Sequence, residues 1–309
     1  MTKRNILTRS LLSVTLRVTV SLLLLFFIGI KYRFHLSSFA SLWGPYFIIA
    51  LLLITAHIGL KSLKWLVLSR QVSGANTFAG ATLSYLRGCS LAIVTPSRTG
   101  EVARIVGMFG NPIHLACQTV VDKLVELLMV AFFALYGSYI YLSFREFCDL
   151  LIVLGAVLVA CILLVQWSRK NVHSNVPKLL SQAIEGFRAT SKASLSAVGF
   201  LTLATFTVYF VQAYLLLNAR YVINLRDVLA IFPLVLLTNT IPITIGGLGI
   251  REGVAVSLLG HVGVSSTVAI DTSLALFIFD TVFPGILGAI VIPLLRKHLF
   301  SQNKISEGL

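Results

Sequence analysis

The chain has 309 residues, 57% of them apolar and 12% charged, with a formal net charge of +14 and a mean hydropathy of +0.92. Soluble domains carry roughly 45–50% apolar and 25% charged residues, so this composition excludes an ordinary water-soluble fold. The basic residues are dispersed among loops rather than gathered with interleaved aromatics, which excludes a nucleic-acid surface and favours anionic lipid headgroups as the partner.

A bilayer span needs about 20 consecutive, nearly uncharged apolar residues. In chain order the sequence predicts spans at 11–30, 45–63, 124–142, 150–167, 195–217 and 269–295, of which 150–167 and 195–217 contain no formal charge. Residues 1–30 could also be a signal peptide, but no small-residue cleavage pattern follows the apolar run, which ends in Ile30, Lys31, Tyr32 and Arg33. The segment is therefore read as retained. Lys3, Arg4 and Arg9 precede the first span, and Lys61, Lys64 and Arg70 follow the second. Arg169, Lys170, Lys178, Arg188 and Lys192 lie between the two uncharged spans, and Arg296, Lys297 and Lys304 close the chain. Residues 143–149 hold one arginine against two acids. Positive residues stay inside, so both termini are expected to be cytoplasmic and the protein multi-pass in a bacterial or archaeal cytoplasmic membrane. Cys89, Cys117, Cys148 and Cys161 show no CxxC pair and no metal-like spacing with histidine, so they read as free thiols, with no metal and no cofactor.

Two segments depart from the pattern of plain spans. Residues 76–108 carry apolar stretches of about 10 residues, too short to cross alone. In their middle, Thr95 and Pro96 predict a helix start, and Gly100 follows. Arg98, Glu101 and Arg104 recur every third residue along one side of that helix. Residues 228–260 are interrupted by Pro233 and Pro242 and then by Gly246, Gly247 and Gly249, after which Arg251 and Glu252 open another short helix. Broken helices expose backbone groups that hydrocarbon cannot satisfy, so both breaks must be covered by protein or line a wet cavity. TPSRTGEVAR in one half and IPITIGGLGIREG in the other share a proline, a glycine, an arginine and a glutamate. Paired interrupted helices predict an inverted repeat, with halves at about 1–142 and 150–309. The predicted architecture is all-α: a single integral membrane domain, a polytopic bundle with two broken or re-entrant helices.

TPSRTGEVAR, VVDKLVELL at 120–128 and PITIGGLGIREG at 242–253 resemble the lysylphosphatidylglycerol synthase transmembrane family, the flippase-like membrane proteins. Pro96, Arg98, Gly100, Glu101 and Arg104 match the first element of that family, and Gly246, Gly247, Gly249, Arg251 and Glu252 match the third. In the middle element Asp122, Lys123 and Leu124 stand where an acid, an arginine and a leucine are usual. Members often carry an arginine in the last long span; Asp280 stands in that span here, so no cationic role is implied there. The resemblance implies a domain that binds and translocates polar-headed lipids, anionic or polyprenyl. The soluble aminoacyltransferase domain of two-domain members is not expected, because the chain ends shortly after its last span.

The residues agree with that implication. A charge at the bilayer centre costs about 2.5–3.5 kcal/mol on insertion scales, so Arg98, Glu101, Arg104, Asp122, Lys123, Glu126, Arg251, Glu252, Asp271 and Asp280 need partners or water. Arginine suits a phosphodiester because its planar fork grips two oxygens. Arg98 and Arg251 adjoin the breaks and are read as headgroup-binding, with Glu101, Arg104 and Glu252 beside them. Asp122, Lys123 and Glu126 are read as internal ion pairs at the entrance of a long helix, with Glu101–Arg104 and Lys123–Glu126 at pairing distance in sequence. His57, alone in a span, reads as bonded to a neighbour rather than as a proton relay. No catalytic residue is assigned. Two alternatives stay open: an enzyme of lipid or polyprenyl phosphate headgroups that uses Asp122 and Glu126 to hold a metal, and a noncatalytic membrane partner of a glycosyltransferase system.

Overall fold

The computed structural model describes residues 44–93, 95–149, 190–240 and 247–293, with isolated positions between 19 and 30 and at 151, 152, 155, 156, 159, 185, 186 and 244. Within them every regular element is helical, in the order α1 Pro45–Arg70, α2 Phe78–Ala92, a 3-10 helix Pro96–Ile105, α3 Pro112–Tyr141, α4 Lys192–Asn218, α5 Leu225–Leu237, α6 Ile250–Gly260 and α7 Ser266–Phe277. A π-turn, Ile278–Val282, continues α7 so that the apolar helix runs from Ser266 to Pro293. Four helices among the described residues, α1, α3, α4 and Ser266–Pro293, are long and apolar enough to cross a bilayer. The shortest has 26 residues, about 39 Å at 1.5 Å per residue, against a hydrocarbon core of about 30 Å.

The span predicted at 195–217 is α4. The span predicted at 45–63 continues to Arg70, and the one predicted at 124–142 begins three turns earlier, at Pro112. Both errors have one cause. Lys61, Lys64, Asp122, Lys123 and Glu126 look like the ends of spans in sequence, but they neutralise one another between α1 and α3 and leave both helices free to continue. Local chemistry sets the true start of α3: Asn111 accepts from the Ile113 N–H at 2.9 Å and Pro112 occupies the first turn, a favoured opening. The spans at 11–30 and 150–167, apart from the isolated positions named above, the loop basics at 169–188 and 296–304, and the breaks at Pro242 and Gly246 lie outside the described residues.

The two irregular segments form hairpins closed at opposite ends of α4. The first comprises α2, a turn and the 3-10 helix, and Asn76 fastens its two ends together. The Asn76 amide donates to the Ser69 and Phe109 carbonyls, both at 3.1 Å, and accepts from the Phe109 N–H at 2.9 Å. This end adjoins the start of α4, where the Ser191 N–H donates to Gln71. The second hairpin comprises α5, a short turn at Thr238–Thr240 and α6, and it follows the far end of α4. It closes through the Tyr221 hydroxyl, which donates to the Val262 carbonyl at 2.6 Å. Pro233 does not end α5 as the sequence suggests; the helix runs on to Leu237 and the chain breaks afterwards. Gly247 and Gly249 have φ of +78° and +86°, a region closed to most side chains, and the second of them forms the N-cap of α6.

The largest apolar core lies where α4, α5, α6 and α7 meet, around Leu216, Phe232, Val235, Leu259 and Ile270. In lipid this packing rests on close fit rather than on water exclusion. Small residues let backbones approach: a side chain at Gly137 of α3 would run into the Ala230 carbonyl of α5, and one at Gly288 into the Leu86 carbonyl of α2.

Candidate functional site

Three helical faces converge part-way along the long helices. On α1, His57, Lys61 and Lys64 recur at spacings of four and three and share one side. On α3, Asp122 and Glu126 stand one turn apart with Lys123 between them. On the 3-10 helix, Glu101 and Arg104 stand one turn of three residues apart, with Arg98 one spacing before them. The π-turn of the last long helix adds Asp280. His57 is 12 residues into α1, about 18 Å along it.

The floor of the cluster is closed. Lys64, with its side chain 1% exposed, contacts Asp122 Oδ1 at 2.7 Å and Glu126 Oε1 at 2.6 Å. Arg104 Nη1 donates to Asp122 Oδ2 at 2.6 Å, its Nε and Nη2 reach the Thr119 hydroxyl and carbonyl at 3.3 Å, and its guanidinium lies 4.2 Å from the Trp65 ring centroid. The Arg104 carbonyl in turn accepts from Ser84, whose hydroxyl also accepts from the Trp65 indole. Arg104 therefore has no free donor edge for a ligand.

The rim is open. Lys123 pairs with Glu101 and, at 2.8 Å, with Glu126, yet its side chain remains 40% exposed. Lys61 pairs with Glu126. Arg98 Nε lies 2.8 Å from Glu101 Oε1 with its side chain 22% exposed, and its two terminal nitrogens bond no described residue. Arg98 also has φ of +56°, a left-handed conformation that non-glycine residues rarely hold and that clusters at functional sites. The turn before it is fixed by Thr95, whose hydroxyl donates to the Leu91 carbonyl at 3.0 Å and accepts from the Gly100 N–H at 2.7 Å. A side chain at Gly100 would strike the Leu91 carbonyl. His57 Nε2 lies 3.0 Å from Asp280 Oδ1.

Charge counting characterises the cluster. Lys61, Lys64, Arg98, Arg104 and Lys123 face Glu101, Asp122, Glu126 and Asp280: five basic side chains against four carboxylates, with His57 beside Asp280. A net positive charge in low dielectric favours an anion nearby, and the terminal guanidinium nitrogens of Arg98, which bond none of the described residues, have the geometry for a two-pronged contact.

The second break builds a different object. Arg251 donates to Glu252 Oε1 from Nη2 at 2.5 Å and from Nε at 3.1 Å, and to Ser273 Oγ at 3.0 Å, with its guanidinium 4.8 Å from the Phe277 ring centroid. Glu252 Oε2 accepts from the Gly249 N–H at 2.6 Å. Arg251 is 4% exposed and Glu252 fully buried, so this pair is neutral, satisfied and closed. No ion pair among the described residues joins it to the first cluster; Asp280 lies within electrostatic range of Arg98 on one side and of Tyr209, which also senses Arg251 and Glu252, on the other. Asp271 is paired separately with Arg220.

Several sequence expectations are thereby placed. Lys123–Glu126 pairs as its spacing suggests, whereas Glu101 and Arg104 turn to Lys123 and Asp122 instead of to each other. Asp122, Lys123 and Glu126 sit 10 or more residues inside α3, not at its entrance. His57 is bonded to a neighbour, as read. Lys61 and Lys64, which the sequence puts at and beyond the end of a span, are members of the cluster; the signal for this is their shared face with His57.

The family model for the lysylphosphatidylglycerol synthase TM region matches residues 14–288. The chain belongs to that family and is a multi-pass integral membrane protein related to lipid handling. No curated protein matches it.

Proposed function

We propose that this family member binds an anionic lipid headgroup in the cluster between α1, α3 and the 3-10 helix and carries the lipid across the bilayer without altering it chemically. The observation that carries the reading is the excess of basic side chains between the spanning helices together with the terminal guanidinium nitrogens of Arg98, which bond none of the described residues, at the partly exposed rim. Arg98 and Lys123 are the headgroup contacts; Glu101, Asp122 and Glu126 hold them, and Lys64 and Arg104 brace the floor. Arg251 and Glu252 brace the second hairpin. The closure of the two hairpins at opposite ends of α4 supports an inverted repeat, and rocking of one half against the other would expose the cluster to each leaflet in turn. In this reading both termini face the cytoplasm, which the distribution of basic residues supports.

The metal-dependent enzyme reading loses its residues. Asp122 and Glu126 already face Lys61, Lys64, Arg104 and Lys123, and a divalent ion would have to enter against that positive field. The test is movement of labelled phosphatidylglycerol in proteoliposomes, with the lipid mass followed in parallel. Wild type should move the label at constant mass, and Arg98→Ala should slow it by about tenfold or more, since a hydrogen bond to a charged group contributes about 1.5–3 kcal/mol. A change of lipid mass would establish an enzyme, and equal movement by empty vesicles would leave no transport to explain.

A further inference from the structure

His57 and Asp280 are paired titratable members of the cluster to which headgroup binding gives no role. They join the middle of α1 to the π-turn, an irregularity frequent at functional sites. His57 is 4% exposed and its Nδ1 is buried without a hydrogen-bond partner, whereas the Asp280 side chain is 19% exposed. The pair is surrounded by titratable and charged groups from each neighbouring helix: Lys61 on α1, Arg98 on the 3-10 helix, Glu126 on α3 and Tyr209 on α4, with Tyr85 and Cys89 of α2 next to Arg98. Arg98 thus lies within electrostatic range of Asp280 without an ion-pair contact to it.

We infer that the His57–Asp280 pair takes up a proton when an anionic headgroup binds Arg98, so that proton and lipid are co-ligands of one site. This rests on the headgroup reading above. An anion on Arg98 adds a negative charge within electrostatic range of Asp280, and the two negative charges repel through a medium of low dielectric. A proton bound by the pair makes it neutral overall and removes the conflict. By linkage, the anion must then strengthen proton binding as much as the proton strengthens anion binding. The balance is one anion and one proton bound together, with no covalent change. A phosphomonoester, with its second negative charge, would be linked more strongly than a phosphodiester.

The experiment is calorimetric titration of the full chain in detergent with dihexanoyl phosphatidylglycerol, and separately with inorganic phosphate, from about pH 5 to about pH 8 in buffers of different ionisation enthalpy. The expected result is uptake of up to about one proton per lipid, with affinity falling by up to about tenfold per pH unit across the titration. His57→Gln and Asp280→Asn should each abolish the uptake and flatten the pH dependence. The wild-type proton count decides even where a variant does not fold. Lipid binding without proton exchange, or undiminished uptake in a folded His57→Gln protein, would overturn the proton site and leave the headgroup reading intact. No binding of either probe at any pH would overturn both. Because phosphate itself titrates in this range, proton-linked binding of inorganic phosphate alone would support the pair as the proton site, and assign the anion to free phosphate, where the excess uptake is lost in His57→Gln; undiminished exchange in that variant would overturn the proton site.

Discussion

Replacing Arg251 by lysine separates bracing from binding, because its structural cost can be worked out contact by contact. Lysine keeps the charge and one contact with Glu252. It loses the Nε bonds to Glu252 Oε1 at 3.1 Å and Ser273 Oγ at 3.0 Å and the flat face over Phe277. A hydrogen bond to a charged group contributes about 1.5–3 kcal/mol, a neutral one about 0.5–1.5 kcal/mol, and a cation–π contact about 0.5–2 kcal/mol. Taken near their lower ends, these terms sum to about 3 kcal/mol of lost stability. Arg98→Lys is the counterpart: its single ion contact is partly solvated and is worth at most about 1 kcal/mol, yet the two-pronged grip on a headgroup disappears. The assay is unfolding by SDS in mixed micelles, paired with lipid movement in proteoliposomes normalised to folded protein. Arg251→Lys should lower stability and keep transport within roughly twofold of wild type, whereas Arg98→Lys should do the reverse and slow transport by about tenfold. Wild-type stability in Arg251→Lys, or full transport with lowered stability in Arg98→Lys, would refute the division of roles between the two breaks.

Three further perturbations test the frame around the site. Gly137→Ala places a methyl group against the Ala230 carbonyl and should cost about 1–3 kcal/mol as α3 and α5 are forced apart, measured by the same SDS titration. Asn76→Ala removes all three bonds that fasten the first hairpin; the freed Phe109 and Ser69 groups should cost about 2–4 kcal/mol, read as faster amide exchange through the 3-10 helix while α4 keeps its protection. Phe144 is 83% exposed just beyond α3, so a cysteine there, in a background without native cysteines, should react with an impermeant thiol reagent in intact cells. Reaction of a cysteine at Ser301 but not at Phe144 would reverse the orientation.

Much of the fold was legible because hydrocarbon imposes a simple rule on sequence. Long uncharged runs had to be spanning helices, and α4 emerged within three residues of its predicted limits at each end. The two interrupted segments were legible for the same reason, since proline and glycine at such depth require shelter for the backbone. The helix limits around Lys61, Lys64 and Asp122 were not legible. A charge in a sequence has no depth, and whether it ends a helix or crosses the membrane inside one depends on partners from another part of the chain.

The sequence by itself determined the membrane class, the family, the two breaks and the candidate residues Arg98, Glu101 and Arg104, because composition, periodicity and local motifs are properties of neighbours along the chain. Tertiary structure alone decided which charges share a site. It brought His57, Lys61 and Lys64 against residues more than 60 positions away, drew Asp280 into the same cluster and sealed Arg251 in a neutral pair. It also left the terminal nitrogens of Arg98 without a bond to any described residue, turning a list of charged residues into five basic side chains facing four carboxylates. Those distinctions depend on distances between helices, and electrostatic energy falls with distance in space, not with separation in sequence.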